Sequence, residues 1–132
     1  METTPAYTHR NLGEVEDAAA KHGFGETHEA RFASEDLAAD QTGFSHQRLK
    51  PGKRSPFGHR HDDAEEVYVV IAGSGRLKLD DDIVEVKPLD AIRVSAGVTR
   101  AFEAGADGLE FLAFGPRRTD DRGEVIQGWW VD

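Results

Sequence analysis

Apolar and polar residues alternate in short runs over most of this 132-residue chain. A period of two over four to eight residues is the mark of a strand with one face buried. On that pattern strands are predicted at 29–34, 43–50, 58–61, 66–72, 75–80, 83–87, 91–95, 99–104 and 109–114. Turn residues punctuate them: Pro51-Gly52, Gly73-Ser74-Gly75, Asp80-Asp81-Asp82, Ala96-Gly97 and Gly105-Ala106-Asp107-Gly108. Such closely spaced strands imply an all-β, antiparallel sandwich or barrel. One run departs from alternation. Val67-Tyr68-Val69-Val70-Ile71 is apolar on both faces, so one face lines the interior and the other meets a second sheet or a second subunit. A homodimer is expected on that ground.

The ends read differently. Residues 1–28 form an N-terminal arm in which Leu12, Val15, Ala18, Ala19 and His22 follow helical spacing, with Gly23 as a stop, so a short helix is predicted over 12–22. Residues 29–116 make the barrel. Residues 117–132 form a tail carrying Trp129 and Trp130, too apolar to be a solvated extension. It is expected to dock on the barrel or on a dimer partner, or else to act as a lid over a pocket.

Composition narrows the function classes. A formal net charge of −9 argues against nucleic acid, which needs clustered Lys and Arg. The chain has no cysteine, so disulfides and thiolate metal sites are excluded. No signal-peptide pattern and no apolar run long enough for a membrane span is visible. A cytoplasmic protein without membrane or nucleic-acid partners is expected.

The candidate chemistry lies in His59-Arg60-His61-Asp62-Asp63-Ala64-Glu65-Glu66. Residues i and i+2 of a strand share a face about 6.6 Å apart, which lets two imidazoles converge on one metal ion. Glu66 stands an odd number of positions after His61, so the chain must turn at 62–64 to bring it alongside. From there Glu66, Tyr68 and Val70 share a face, whereas Glu65 points away with Val67 and Val69; Glu66 is the expected ligand and Glu65 its rival. His46, on a predicted strand, is a further possible ligand or a wall residue. His9, His22 and His28 lie outside the motif and are given no chemical role. Arg60 points to the opposite face from the histidines.

Gly58-His59-Arg60-His61, then Glu66, then Gly73 resembles the first motif of the cupin superfamily, a glycine, HxH, a glutamate and a closing glycine. Lys50-Pro51-Gly52 is also cupin-like. The stretch from Leu89 to Phe102 stands where the second motif falls, with Asp90 and Gly97 matching. It departs from the pattern at Leu89, where the family has glycine, at Ser95, where it has proline, and at Arg100, where it has a fourth ligand histidine. The resemblance covers roughly residues 43–114 and implies a jelly-roll barrel of a small single-domain cupin, a divalent metal (Fe, Mn, Zn or Ni) and a small-molecule ligand.

Arg100 decides between readings, because a guanidinium has no lone pair to give a metal. His59, His61 and Glu66 alone hold the ion, with Arg100 clamping a substrate carboxylate; or another residue such as His46 completes the site; or Arg100 pairs with Glu66 in a metal-free pocket. Tyr68, Phe102, Arg100 and His46 are the expected substrate-contacting residues. Two functions follow: a metal-dependent enzyme of oxygenase or isomerase type acting on a small carboxylate-bearing compound, or a non-catalytic binding or sensing cupin in which Arg100 replaces the fourth ligand.

Overall fold

The computed structural model describes residues 5–117 and 123–130. Its strands are β1 (His28–Phe32), β2 (Thr42–Leu49), β3 (Gly58–Arg60), β4 (Glu66–Leu79), β5 (Asp82–Val86), β6 (Ala91–Val94), β7 (Arg100–Pro116) and β8 (Glu124–Ile126). All pairings are antiparallel. β4 and β7 pair along almost their whole length, and the other strands attach to them. The first half of β4 and the second half of β7 join β1, β2 and β6. Their remaining halves join β3, β5 and β8. Two layers therefore share two strands that cross from one to the other, a jelly-roll barrel. No helix among the described residues is long and apolar enough to cross a membrane.

The crossing corrects two predicted turns. Gly73-Ser74-Gly75 does not reverse the chain, nor does Gly105-Ala106-Asp107-Gly108. β4 and β7 run through both segments, and the register jumps from Gly73↔Leu109 to Gly75↔Ala104. Ser74 thus faces a four-residue bulge, which bends the ribbon into the corner between layers. Only glycine fits here: a Cβ on Gly73 would lie 2.0 Å from the Gly108 carbonyl oxygen, and one on Gly75 would lie 2.1 Å from that of Glu103. The glycines serve close backbone approach rather than chain reversal.

The expected helix over 12–22 is interrupted. Leu12–Glu14 form one 3₁₀ turn, Val15 is extended, and a four-residue helix α1 (Ala18–Lys21) begins afresh. Asp17 causes the break, since its carboxylate caps α1 by accepting from the N–H groups of Ala19 and Ala20. The same oxygen accepts from Ala30 N–H at 3.0 Å and so fixes α1 against β1. Gly23, at φ +87°, ends the helix as the spacing implied.

Alternation along the strands sets the core. Tyr68 and Val70 of β4, Leu77 beyond the corner, Phe102, Leu109 and Phe111 of β7, and Val86 and Val94 form one buried cluster. Phe102 and Phe111 stack at 4.2 Å, with Tyr68 edge-on to both. On the outside, Val67 and Val69 pair with Phe114 and Leu112 and remain partly exposed, together with Phe44.

The second cupin-like stretch shows what its departures do. Lys87-Pro88-Leu89-Asp90 is a tight turn closed by Asp90 N–H to the Lys87 carbonyl at 3.1 Å, with Leu89 at φ +74°. The left-handed conformation is the one glycine adopts freely, and a leucine there is strained. At Ser95 the chain turns through Gly97, at φ +86°, without proline. Leu89 is 85% exposed, so its side chain contributes little burial. Leu89→Gly is therefore expected to raise stability by about 1 kcal/mol, the left-handed penalty less the extra freedom of an unfolded glycine. Urea denaturation measures it; Leu89→Ala is the control and should show no comparable gain, and an equal gain from both would remove strain as the cause.

Candidate metal and ligand site

β3 presents His59, and the chain just beyond it presents His61, both toward the barrel interior, their ring centroids 5.5 Å apart. A turn through Asp62 and Asp63 then delivers Glu66 at the start of β4, with its side chain on the same face as Tyr68. His59 Nε2 and His61 Nε2 lie 3.8 and 3.9 Å from Glu66 Oε1. One ligand atom from each residue falls within 4.8 Å of the others. Ligands about 2.1 Å from a common ion stand about 3.4 Å apart in a tetrahedral site, so a small closure of side chains suffices. By donor type and spacing, the three residues fit a divalent ion.

Glu65 faces outward, 60% exposed, beside Arg93 at 3.8 Å. His46 is also turned away. Its strand neighbours Ser45 and Gln47 face the interior, whereas His46 Nε2 meets Glu110 Oε2 at 2.6 Å on the outer surface, with Arg48 on the same carboxylate at 3.1 Å. Alternation along β2 thus removes His46 both as a ligand and as a ligand-contacting residue.

Arg100 begins β7, directly across from His59 on β3. It has no solvent exposure. Nη2 donates to Glu66 Oε1 at 3.1 Å, Nε to the Tyr68 hydroxyl at 3.1 Å, and Nη1 to the Val98 carbonyl at 2.8 Å. Tyr68 in turn donates to Glu66 Oε1. The guanidinium is spent on these partners and does not line the cavity, so it is not placed to clamp a substrate carboxylate. Of the three roles considered for it, pairing with Glu66 is the arrangement present.

The charges of this group reinforce one another. Burial works against an ionised Glu66, but the nearby His59, the hydrogen bond from Tyr68 and the charge of Arg100 outweigh it and bring its pKa down to about 2. Burial and the neighbouring Glu66 charge push the Tyr68 phenol up, against the opposing pull of Arg100. Burial disfavours charge on Arg100 too, yet Tyr68 and Glu66 more than compensate. The set is a carboxylate, a neutral phenol and a guanidinium at any ordinary pH.

The three candidate ligands open onto a cavity of about 710 Å³. Tyr68, Phe102 and Phe111 form one part of its wall. The N-terminal arm supplies another part, which the sequence reading passed over: His22 and Phe24 follow α1, and His28 begins β1. The signal was the alternation of His28, Ala30 and Phe32, which share the inner face of β1. Burial lowers the pKa of His28, partly opposed by the charge of Asp17, so the neutral imidazole is favoured.

The tail braces this site. β8 pairs with β3 through Gly58↔Ile126, His59↔Val125 and Arg60↔Glu124, and Arg60 Nε donates to Glu124 at 2.8 Å. Trp129 lies against Gly58, where a Cβ would come within 2.8 Å of the indole. Lys78 sits over the Trp129 ring at 4.3 Å, and Arg54 over that of Trp130 at 4.8 Å.

Comparison with known proteins places this architecture. The sequence profile of the cupin domain matches residues 45–114. The chain belongs to the cupin family. No curated protein matches it. Among solved structures, a cupin protein from Bacteroides fragilis is similar at 20% identity and a TM-score of 0.69, over 98% of this chain and 99% of that one. The polyketide cyclase RemF from Streptomyces resistomycificus is similar at 22% identity and a TM-score of 0.72, over 95% of this chain and 87% of that one. A sugar phosphate isomerase of the cupin superfamily from Silicibacter pomeroyi is similar at 21% identity and a TM-score of 0.71, over 89% and 81%. Another neighbour is longer, and this cupin spans 66% of it. At such identities the likeness is one of fold.

Within this cupin, Glu66 is the counter-charge of a fully buried guanidinium. Glu66→Ala leaves Arg100 uncompensated and is expected to cost about 3 kcal/mol in the presence of chelator. Urea denaturation checks this, with Glu66→Ala/Arg100→Leu as the second arm; the double variant should recover part of the loss. A single variant as stable as the parent would show that the pair carries no net burden.

Proposed function

We propose that this cupin holds a divalent metal, Fe, Mn, Zn or Ni, through His59, His61 and Glu66, and acts on a small molecule in the adjoining cavity as a metal-dependent enzyme of oxygenase or isomerase type. The observation that carries this reading is the convergence of three ligand-type atoms on the wall of that cavity. Two histidines and one carboxylate, with remaining positions open, are a donor set suited to metals that bind substrate or oxygen directly. A metal bound there supplies Lewis-acid polarisation or activation of a bound small molecule.

The chain's own groups have separable tasks in this reading. His59 and His61 present imidazole nitrogens from one short strand and its exit. Glu66 stays ionised because His59, Tyr68 and Arg100 favour its charged form. Arg100 is a positioning residue: it fixes the carboxylate through Oε1, and a carboxylate has about four acceptor sites, so two hydrogen bonds leave capacity for a metal. The cost is electrostatic. Arg100 cancels the charge of Glu66, so the ligand set brings no net negative charge to the ion, and affinity is expected below that of a cupin with a histidine at this position.

That same ion pair supports a second reading, a metal-free binding or sensing cupin in which Arg100 occupies the place of the fourth ligand. Elemental analysis separates the two. After purification from metal-replete medium, about one metal per chain is expected, lost in His59→Ala/His61→Ala. Less than about 0.1 per chain would leave the metal-free reading. Arg100→His should tighten Zn²⁺ binding by about tenfold or more, since it removes a cation and adds a ligand.

We also propose that this cupin is a cytoplasmic homodimer, joined through the outer apolar face of Phe44, Val67, Val69, Leu112 and Phe114. The support is the partial exposure of this contiguous strip. Light scattering should give twice the 14.5 kDa chain mass, and Val69→Glu should halve it. A parent protein that runs as a monomer would end the proposal.

A further inference from the structure

We infer that the cavity takes a neutral, flat aromatic compound carrying a hydroxyl or carbonyl group, rather than a phosphorylated or dicarboxylate one. The inference rests on the proposal that this cavity is the ligand site, and its first support is shape. At about 710 Å³ the cavity has room for two or three fused rings. The wall is aromatic on two separate elements. Phe102 and Phe111, stacked on each other and met edge-on by Tyr68, belong to the barrel. Phe24 and Phe57, edge-on at 5.8 Å, belong to the arm and to the connection before β3. A planar ring system buries its faces against such walls at little conformational cost.

The second support is charge. Among the described residues, no lysine or arginine lines the cavity; its ionisable groups are the carboxylate of Glu66 and the imidazoles of His22, His28, His59 and His61. Arg100, the nearest guanidinium to that carboxylate, is fully buried and directed at Glu66, Tyr68 and Val98. Burial also lowers the pKa of His28, which disfavours a positive charge there. A phosphate or dicarboxylate entering the metal-free cavity would lose its hydration without a lysine or arginine in return, a large penalty.

The third support is a hydrogen-bonded polar pair on the wall across from the histidine strand. Ser45 is 4% exposed yet lines the cavity. Its oxygen accepts from Gln47 Nε2 at 3.1 Å. An accepting hydroxyl keeps its own proton to donate, and the Gln47 amide keeps its oxygen to accept. Side by side on the inner face of β2, the two suit a phenol or ketone, and they lie on a different layer from β3 with its histidine. A ligand engaged at both ends spans the aromatic stretch between them.

Calorimetric titration of the full chain, chelated and Zn²⁺-loaded, with 2-naphthol, glucose 6-phosphate and oxalate tests this. 2-Naphthol is expected to bind in both forms with Kd below about 100 μM, and the two anions not to bind the chelated form up to about 5 mM. Phe57→Ser should weaken naphthol about tenfold or more, and Ser45→Ala severalfold, both with thermal midpoints near that of the parent. If glucose 6-phosphate or oxalate binds more tightly than naphthol, the aromatic assignment fails while the cavity survives as a ligand site. If Zn²⁺ binds and no naphthol does, the inference fails and the metal reading stands. If naphthol binds and Zn²⁺ does not, the metal reading fails and the inference stands. Naphthol binding unaffected by Phe57→Ser and Ser45→Ala would place it elsewhere and overturn the inference.

Discussion

A guanidinium with no access to water must be met by acceptors at hydrogen-bond distance, because an unpaired buried charge costs several kcal/mol. Arg100 is in that position, and much of the site's order follows. Its three donating nitrogens reach β4 twice, at Glu66 and Tyr68, and the Val98 carbonyl once. Its backbone lies across from His59. One side chain thereby ties the acid, the phenol and the strand of the first histidine to one corner of the barrel. In many metal sites the ligands are oriented by hydrogen-bonding partners behind them. Here the partner is a full positive charge, so the carboxylate is both better held and less available than one backed by a neutral group.

The cavity carries the complementary half of the design. With cations kept behind the wall and aromatic rings on its face, its chemistry is set by what is withheld as much as by what is offered. Ser45, Gln47 and the group around Glu66 are polar marks on an apolar surface, and a cavity of that kind selects by shape and by a few directed hydrogen bonds rather than by charge.

Much of this was legible in the sequence, and the failures share a cause. The HxH motif and the parity of Glu66 against Glu65 follow from a two-residue repeat, a local property, and the structure keeps them. The departure at Arg100 was visible and Glu66 was among its three candidate roles, but the choice between them depends on which strands meet across the barrel. Gly73-Ser74-Gly75 and the 105–108 segment have turn chemistry, yet each is part of a strand that continues, because pairing between β4 and β7 outweighs local preference. In the arm, helical spacing over 12–22 was overruled at Asp17, whose carboxylate gains more by capping than by staying inside a helix. His28 reaches the cavity by the alternation of β1, whereas His22 does so because α1 folds back over β1, a contact no local pattern encodes.

β3 is only three residues long, and neither of its neighbours is near in sequence. One is the start of β7. The other is β8, and the ion pair that seals it, Arg60 to Glu124, spans 64 positions. Loop closure grows costlier with separation, and distant contacts form after nearby ones have drawn the ends together. The histidine-bearing strand therefore has no partner close in sequence to hold it. Without β8, β3 keeps the single pairing of His59 with Arg100, whereas Glu66 rides on the long β4 ribbon, paired with β6 and β7. The complete donor set exists only in the finished fold, so a half-folded chain offers a stray metal ion no more than part of its grip.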